Sequence, residues 1–293
     1  LLTGADGKAG ADKAAHDLGG DIDSSASLAQ NSNVQKITPK TQSAGKRDGQ
    51  LLLTLTAPNN QVATLSGEVR LAQDLIKISG LLRGVGNTKQ IEGTTTFDIT
   101  NIGTYLGWDD TAPRLGLKGT SNTTLSPKQY TFSALDAGFG SGKVAGEGVY
   151  VFDPVRSTLT ANLTFANMDI MPFFPHYEDG WSKAPVSWSL LELADANLEL
   201  KLDNVTFNDL AISSAKGRLK LVDSVIEISD LQASVAGGNI TANVNAGGGR
   251  LLPSVTIDAR LFGVKLAEVT RSILGTELLD ASLSGSFNIR GRG

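Results

Sequence analysis

A strict alternation of apolar and polar residues constrains the fold of this chain more than any other feature of its sequence. In residues 159–165, leucine, alanine and phenylalanine occupy every second position, and threonine or asparagine fills the positions between them. Successive side chains of a β-strand point to opposite faces, so this pattern predicts a strand with one apolar and one polar face. The same pattern recurs in residues 51–55, 196–202, 240–244, 255–261 and 281–289.

The clean alternation favours an antiparallel sheet, because strands buried on both faces in parallel α/β proteins read as continuous apolar runs. Segments rich in glycine or asparagine at residues 204–208, 237–238 and 247–249 are predicted to be turns of a meander. The alternation leaves open what covers the apolar face. Two sheets could close on each other as a β-sandwich, a β-solenoid could enclose a dry core, or one sheet could leave the face open.

The composition agrees with a β-rich chain and argues against several functions. The 293 residues include 33 glycines and only 6% aromatic residues, which favours many strands and turns.

The net charge is −4 and there is no run of lysine or arginine, so the electrostatic footprint of a nucleic-acid-binding protein is missing. The chain has no cysteine, which excludes disulfide scaffolds and thiolate metal sites. No apolar run approaches the roughly 18 residues of a membrane span, and we expect any anchor to lie outside this chain.

No motif in the sequence predicts catalysis. The two histidines, His16 and His176, lack other ligands at metal-binding spacing. The segment GFGSGKVAG at 138–146 has Ala137 where a phosphate loop needs glycine and Val144 where it needs serine or threonine, so we predict a glycine-rich hairpin. The segment SSAK at 213–216 lacks the companion motifs of penicillin-recognising enzymes. We predict that the protein is not an enzyme, with no catalytic residue, metal or cofactor.

Composition and repeats suggest the organisation of the chain. Residues 1–48 carry few large apolar side chains, so they are predicted to be a flexible linker or loop. Residues 49–180 and 181–293 are predicted to be β-rich segments of one continuous sheet. Residues 255–269 match residues 159–173 in pattern, with a fainter copy at 91–106. In each copy a strand leads into a short apolar segment. After the strand at residues 255–261, one stripe of a helix is formed by Leu266, Val269, Ile273 and Leu274, and Gly275 can end this helix.

Several stretches after residue 180 carry a family resemblance. The stretch WSKAPVSWSLLELADANLELKL, from Trp181, has Trp-Ser and proline before a leucine-rich link and an Asp-Ala-x-Leu strand. IEISDLQASVAGGNITANVNAG, from Ile226, contains a Gly-Gly hairpin, and VTIDARLFGVKLAEVTRSILG, from Val255, reads as a strand followed by a short helix. LDASLSGSFNIRGRG adds another strand. From Trp181 to Gly293 the chain resembles the carboxy-terminal region of the AsmA family of Gram-negative envelope proteins.

This resemblance implies a fold and a function. The fold would be mainly β, an elongated antiparallel sheet curled into an open apolar groove with a few short helices, as in bridge-like lipid transporters. The protein would occupy the periplasm, with an inner-membrane anchor outside this chain. It would bind phospholipid and help move lipid between the inner and outer membranes, with outer-membrane components as further partners. The alternative is a non-enzymatic periplasmic scaffold or assembly factor for outer-membrane proteins.

Resemblance and alternation together predict which residues line the groove. The helix stripe at 266–274 is predicted to be a lid or an end-packing element. The predicted lining residues are Leu53, Leu55, Leu159, Leu163, Phe165, Leu198, Leu200, Leu202, Leu219, Leu221, Ile226, Ile228, Ile240, Val244, Val255, Ile257, Leu261, Leu283, Phe287 and Ile289.

Overall fold

The computed structural model describes residues 35–37, 49–56, 62–83, 89–104, 114–170, 194–247, 254–277 and 279–292. These residues form one sheet of fifteen strands whose spatial order follows the chain. The strands are β1 (Gln35–Ile37), β2 (Gly49–Thr56), β3 (Val62–Leu71), β4 (Asp74–Arg83), β5 (Gln90–Ile99), β6 (Leu117–Leu125), β7 (Gln129–Phe139), β8 (Gly142–Val151), β9 (Thr158–Ala166), β10 (Asp195–Phe207), β11 (Leu210–Val222), β12 (Val225–Val235), β13 (Gly238–Gly247), β14 (Ser254–Lys265) and β15 (Ser282–Arg292). A 3₁₀ turn at Ile102–Thr104 and helix α1 (Leu266–Leu274) complete the described elements.

The order of the strands confirms the predicted meander. Over the described ranges there is one sheet, so the β-sandwich and β-solenoid alternatives are wrong, and the edge strands β1 and β15 do not pair with each other. One neighbouring pair departs from the antiparallel prediction, because β9 and β10 run parallel with Leu163 beside Leu200. The 28 residues between the two strands are long enough for the crossover connection that a parallel pair requires.

The pairing register places the apolar side chains of all these strands on one face of the sheet. Side chains of directly paired residues point to the same face. One row of paired residues crosses the sheet from β2 to β15 and is apolar or small apart from one threonine. The row is Leu55, Leu65, Gly80, Gly93, Thr123, Phe132, Gly148, Ala161, Leu198, Leu219, Ile228, Val244, Ile257 and Ile289.

Glycines on the apolar face show that the sheet bends toward that face. A Cβ atom at Gly93 would lie 2.0 Å from the carbonyl oxygen of Ser79, on the neighbouring strand β4. A Cβ atom at Gly119 in β6 would lie 2.3 Å from the carbonyl oxygen of Asp136 in β7. These Cβ positions point to the apolar side, so the neighbouring backbone must rise toward that side. The sheet therefore curls toward the apolar face at these positions, as expected for the predicted curled sheet, and we call this face the concave face.

Some predicted turns lie elsewhere in the structure. Residues 204–207 belong to β10, and the turn falls at Asn208 and Asp209, which both have positive φ. The prediction for 204–208 was wrong because Asn204, with φ 52°, interrupts the alternation without ending the strand. Extra residues in β7, β12 and β14 also shift the register, near Ala134, Asp230 and Gly263. After each shift an apolar residue returns to the concave face.

Residues on both sides of position 180 contribute to the same sheet, since β9 lies next to β10. The described residues between positions 34 and 293 belong to one compact unit, while residues 1–33 lie outside the described ranges. The segment 1–48, predicted to be a linker, contains β1, which pairs with Leu53, Thr54 and Leu55 of β2. The rest of that segment also falls outside the description.

Candidate functional site, a concave apolar face

The predicted lining residues all lie on the concave face. Leu200 is beside Leu163, Ile228 is opposite Val244, and Ile257 is opposite Ile289. Most of these side chains are half-buried although no second layer of described residues covers the sheet. Leu283, Phe287 and Ile289 are exposed because β15 is the edge strand. The curvature of the sheet, together with contact between neighbouring side chains, accounts for the partial burial of the others.

Strands β3 to β8 extend this face with residues that the sequence pattern did not identify. In β5, Gly93 and Thr95 stand between Ile91 and Phe97 on the concave side, so two of the concave-side positions lack a large apolar side chain and the alternation is harder to recognise. The even spacing of Ile91, Phe97 and Ile99 is the signal that could have identified this strand. The additional concave-face residues are Leu65, Val69, Ile76, Ile78, Leu82, Ile91, Phe97, Ile99, Leu117, Leu125, Tyr130, Phe132, Leu135, Val144 and Tyr150.

Three hydroxyl side chains interrupt the apolar character of the face. Thr95, Ser121 and Thr123 are buried on β5 and β6. The hydroxyls of Thr95 and Thr123 lie 3.0 Å apart and form a cross-strand hydrogen bond. Because these side chains are small and buried, they fill the floor where the sheet bends beside Gly93 and Gly119. The hydroxyls of Thr95 and Thr123 are thus partnered within the sheet.

The two long margins of the face differ. We call one margin the closed end, defined by Leu115, Met168, Val205, Val235 and Val264, all of which are buried. Val205 and Val264 are 1% and 2% exposed. Strands β5, β9 and β14 all finish at this margin, and these are the strands of the three predicted repeat copies. The chain after each of them contributes to the closed end.

Helix α1 covers the closed end from β14 to β10. Val269 packs against the cluster of Val235, Ala236 and Val264. At the far end of the helix, the Ser272 hydroxyl is 2.6 Å from the carbonyl oxygen of Asn208, in the turn between β10 and β11. The helix ends where predicted, because Gly275 adopts a left-handed conformation with φ 72°. It therefore packs on the end of the groove.

The four predicted helix positions have different surroundings. Val269 contacts the buried cluster and Leu266 is half-buried, with its backbone N–H donating to the carbonyl of Ala281. Leu274 is 58% exposed and so does not pack on the sheet. The side chain of Ile273 lies outside the described residues.

Replacing Ser272 with alanine is expected to loosen the helix. The change removes the buried hydroxyl that donates to the turn at Asn208, and a hydrogen bond of this kind contributes about 0.5–1.5 kcal/mol. Amide hydrogen exchange of residues 266–274 should therefore accelerate about threefold to tenfold. The control Ser286→Ala removes an exposed hydroxyl from β15 and should leave exchange in the helix unchanged. Equal exchange in the two variants would contradict the assigned contact.

The opposite margin is the open rim, formed by Leu125, Tyr130, Tyr150, Leu159 and the turns at residues 126–128 and 152–157. Among the described concave-face residues that lie nearest to this margin, only Ala63 is buried. The backbone N–H of Phe152 donates to the carbonyl of Lys128, which joins the two turns. Phe152, 44% exposed, packs edge-on against Tyr150.

Charged groups border the open rim beside Tyr150 and Leu159. Arg156 Nε lies 2.6 Å from Asp195 Oδ1, and Arg156 Nη1 lies 3.6 Å from Asp223 Oδ1. These contacts link the starts of β10 and β12 to the loop after β8. The backbone N–H groups of Val155 and Arg156 donate to the Asp153 carboxylate and lower its pKa. This described part of the rim is thus a polar border beside an apolar surface.

The polar face of the sheet carries open concavities of mixed charge. The largest one described, about 740 Å³, is lined by residues of β12 to β15 that include Asp230 and Asp258. Arg218 Nη1 lies 3.6 Å from Asp230 Oδ2, and the Asn288 amide donates to Asp258. These carboxylates already have partners within the protein. The described residues contain no group of three or more histidine, cysteine or acidic side chains that could hold a metal ion.

The motifs set aside during the sequence analysis are structural where they can be seen. Residues 138–146 form the hairpin between β7 and β8, with Gly140 at φ 56°, which confirms the glycine-rich hairpin. Residues 213–216 lie inside β11. His16 and His176 are outside the described residues. Across the described ranges, no helix has the length and hydropathy of a transmembrane segment.

Comparison with known proteins identifies one region of the chain. The model of the AsmA family matches residues 175–293. These residues are an AsmA-like region, which confirms the resemblance seen from Trp181 onward, and they include β10 to β15 and α1. No curated protein and no solved structure matches the chain. An AsmA-like region is consistent with a function in the bacterial envelope.

Proposed function

We propose that this chain, with its AsmA-like region at residues 175–293, binds phospholipid acyl chains on its concave face and helps move lipid between the inner and outer membranes. It would act in the periplasm as part of a protein anchored in the inner membrane, and so support outer-membrane biogenesis. The continuous apolar row from Leu55 to Ile289, on a sheet without a second layer of described residues, is the observation that carries the proposal.

The size of the face suits this ligand. Exposing about thirty methylenes of a phospholipid to water costs on the order of 20 kcal/mol, at ~0.8 kcal/mol each, so a carrier must supply a continuous apolar surface. Fifteen strands spaced ~4.8 Å apart extend about 70 Å along the stacking direction, and ten residues of one strand span ~33 Å. Several acyl chains could lie side by side on a face of this size.

The chemistry of the face favours binding over catalysis. Its side chains are mainly leucine, isoleucine, valine, alanine and phenylalanine, with glycines at the bends. Such a surface can contact a sliding acyl chain through dispersion and hydrophobic burial without fixing it by directional hydrogen bonds. We therefore propose a non-enzymatic role that requires no cofactor.

A negative charge on the concave face tests the proposal. Leu200→Asp and Ile257→Asp place a carboxylate among half-buried apolar side chains, where desolvation is costly. Phospholipid that co-purifies with the protein, measured by extraction and native mass spectrometry, should fall by about tenfold or more relative to wild type. The control Asn197→Asp adds the same charge on the polar face of β10 and should retain the lipid.

Circular dichroism must first show that each variant keeps its β structure. Equal lipid loss in Leu200→Asp and Asn197→Asp would overturn the assignment of the concave face. Wild-type protein free of lipid would favour the alternative function, a scaffold for outer-membrane proteins. The observation behind that alternative is β15, an edge strand of 11 residues that pairs only with β14 among the described strands.

A further inference from the structure

We infer that bound phospholipids lie in one orientation across the groove, with the headgroup at the open rim and the acyl-chain ends at the closed end. This inference rests on the proposed function and adds which margin receives each part of the lipid. Each lipid would lie along the strand direction, and neighbouring lipids would follow one another along the stacking direction.

Burial of the two margins is the first argument. At the closed end, Val205, Val235 and Val264 are buried, and α1 packs over this margin between β14 and the turn at Asn208. A hydrated headgroup placed there would lose water without gaining partners, which is costly. Terminal methyl groups of an acyl chain lose nothing by entering such an environment and gain apolar contact.

Aromatic residues supply a second, independent argument. Tyr130 and Tyr150 are paired directly in the concave-face row nearest the open rim. Toward the closed end of the same face, Phe139 of β7 and Phe165 of β9 carry no hydroxyl, and their rings lie 5.9 Å apart. Tyrosine prefers boundaries where one end of the side chain is apolar and the other is wet. Phe132 and Phe152 also lie on the rim side, so the argument rests on the hydroxyls, and the two described tyrosines both stand toward the rim.

Charges at the open rim agree with this orientation. The ordered turns beyond the tyrosines carry Lys128, Asp153 and Arg156, with Asp195 and Asp223 close by. These charges of both signs can solvate a zwitterionic headgroup without a deep pocket. Because α1 at the closed end also carries both signs, in Lys265–Glu268 and Arg271–Glu277, the charges alone do not set the orientation. The acyl chains would lie on the concave face itself, so a lipid could enter across the open rim without passing helix α1.

Single-cysteine labelling can measure this orientation, since the chain contains no cysteine. A small fluorophore is attached at Ala196→Cys, near the open rim, or at Leu202→Cys, about 20 Å away on the same face of β10. The probes are phosphatidylcholine with a nitroxide on its headgroup and phosphatidylcholine with a nitroxide near the end of one acyl chain. Because a nitroxide quenches at short range, the headgroup probe should quench label 196 at least about twofold more than label 202 across this separation. The chain-end probe should show the reverse preference.

The outcomes separate the two proposals. Quenching in the opposite order, or equal quenching of both labels by each probe, would overturn the orientation while leaving lipid binding intact. If neither lipid binds, both the orientation and the proposed function fail. A second pair of labels on β12, Ile226→Cys near the rim and Ala233→Cys toward the closed end, repeats the measurement if a β10 variant does not fold.

Discussion

Gly93→Val is expected to destabilise the protein by about 3 kcal/mol or more, because the added Cβ atom meets backbone and not a flexible side chain. The Cβ position lies 2.0 Å from the Ser79 carbonyl oxygen and 2.5 Å from the Cα atom of Gly80. Neither atom can move without separating β4 from β5. The variant should therefore unfold at lower urea concentration and should lose curvature at the junction of these two strands.

Gly285→Val is the matched control, since Gly285 lies on the same face in the edge strand β15. A Cβ atom there has no neighbour within 4 Å, and valine suits a strand, so the free energy of unfolding should change by no more than about 0.5 kcal/mol. Urea denaturation followed by circular dichroism gives both values. If the two variants unfold alike, the sheet does not bend at Gly93 as described.

The sequence was sufficient to assign the faces of β9 to β15 because large aliphatic residues occupy the apolar positions there. In β10, Leu198, Leu200 and Leu202 alternate with asparagine, glutamate and lysine, and their partners across the sheet do the same. Where register shifts occur, as at Asp230, the pattern restarts on the same face. The alternation itself therefore predicts the face on which each side chain lies.

The amino-terminal strands were harder to predict because the bend that shapes the groove weakens the signal. Gly80 and Gly93 occupy positions where the alternation predicts a large apolar residue, but the close backbone of the neighbouring strand leaves no room for a side chain. At Thr95, a residue with a hydroxyl occupies such an apolar position. A search for large hydrophobic residues misses both. Curvature and alternation compete for the same positions, so the strands that bend at these glycines have a less regular sequence.

Strand direction and helix position depend on contacts that are distant in sequence. Nothing in the alternation of β9 and β10 distinguishes a parallel pair from an antiparallel one, because both strands have one polar face. Helix α1 was predicted from its own spacing, but its placement depends on Ser272 reaching the turn at Asn208, 64 residues earlier. Sequence spacing predicts the element, whereas its packing partner requires the structure.

Val205→Asp is expected to have the largest effect among substitutions at the closed end. Val205 is 1% exposed on β10, and an unpaired carboxylate at such a position should cost on the order of 4 kcal/mol or more. The control Thr206→Asp places the same group on the opposite, exposed face, one residue away. It should unfold within about 1 kcal/mol of wild type, since exposed substitutions have small effects.

The cost of Val205→Asp should also depend on pH, which separates a buried charge from a change in shape. Burial raises the pKa of the new carboxyl in the folded state above its unfolded value, so the folded protein binds more protons in the interval between the two. The deficit in unfolding free energy relative to wild type should therefore shrink as the pH falls from 7 toward 4. Val205→Asn carries no titratable group, and its deficit should stay constant. A deficit of Val205→Asp that also stays constant would mean that the carboxylate reaches water, and the closed end would not be sealed.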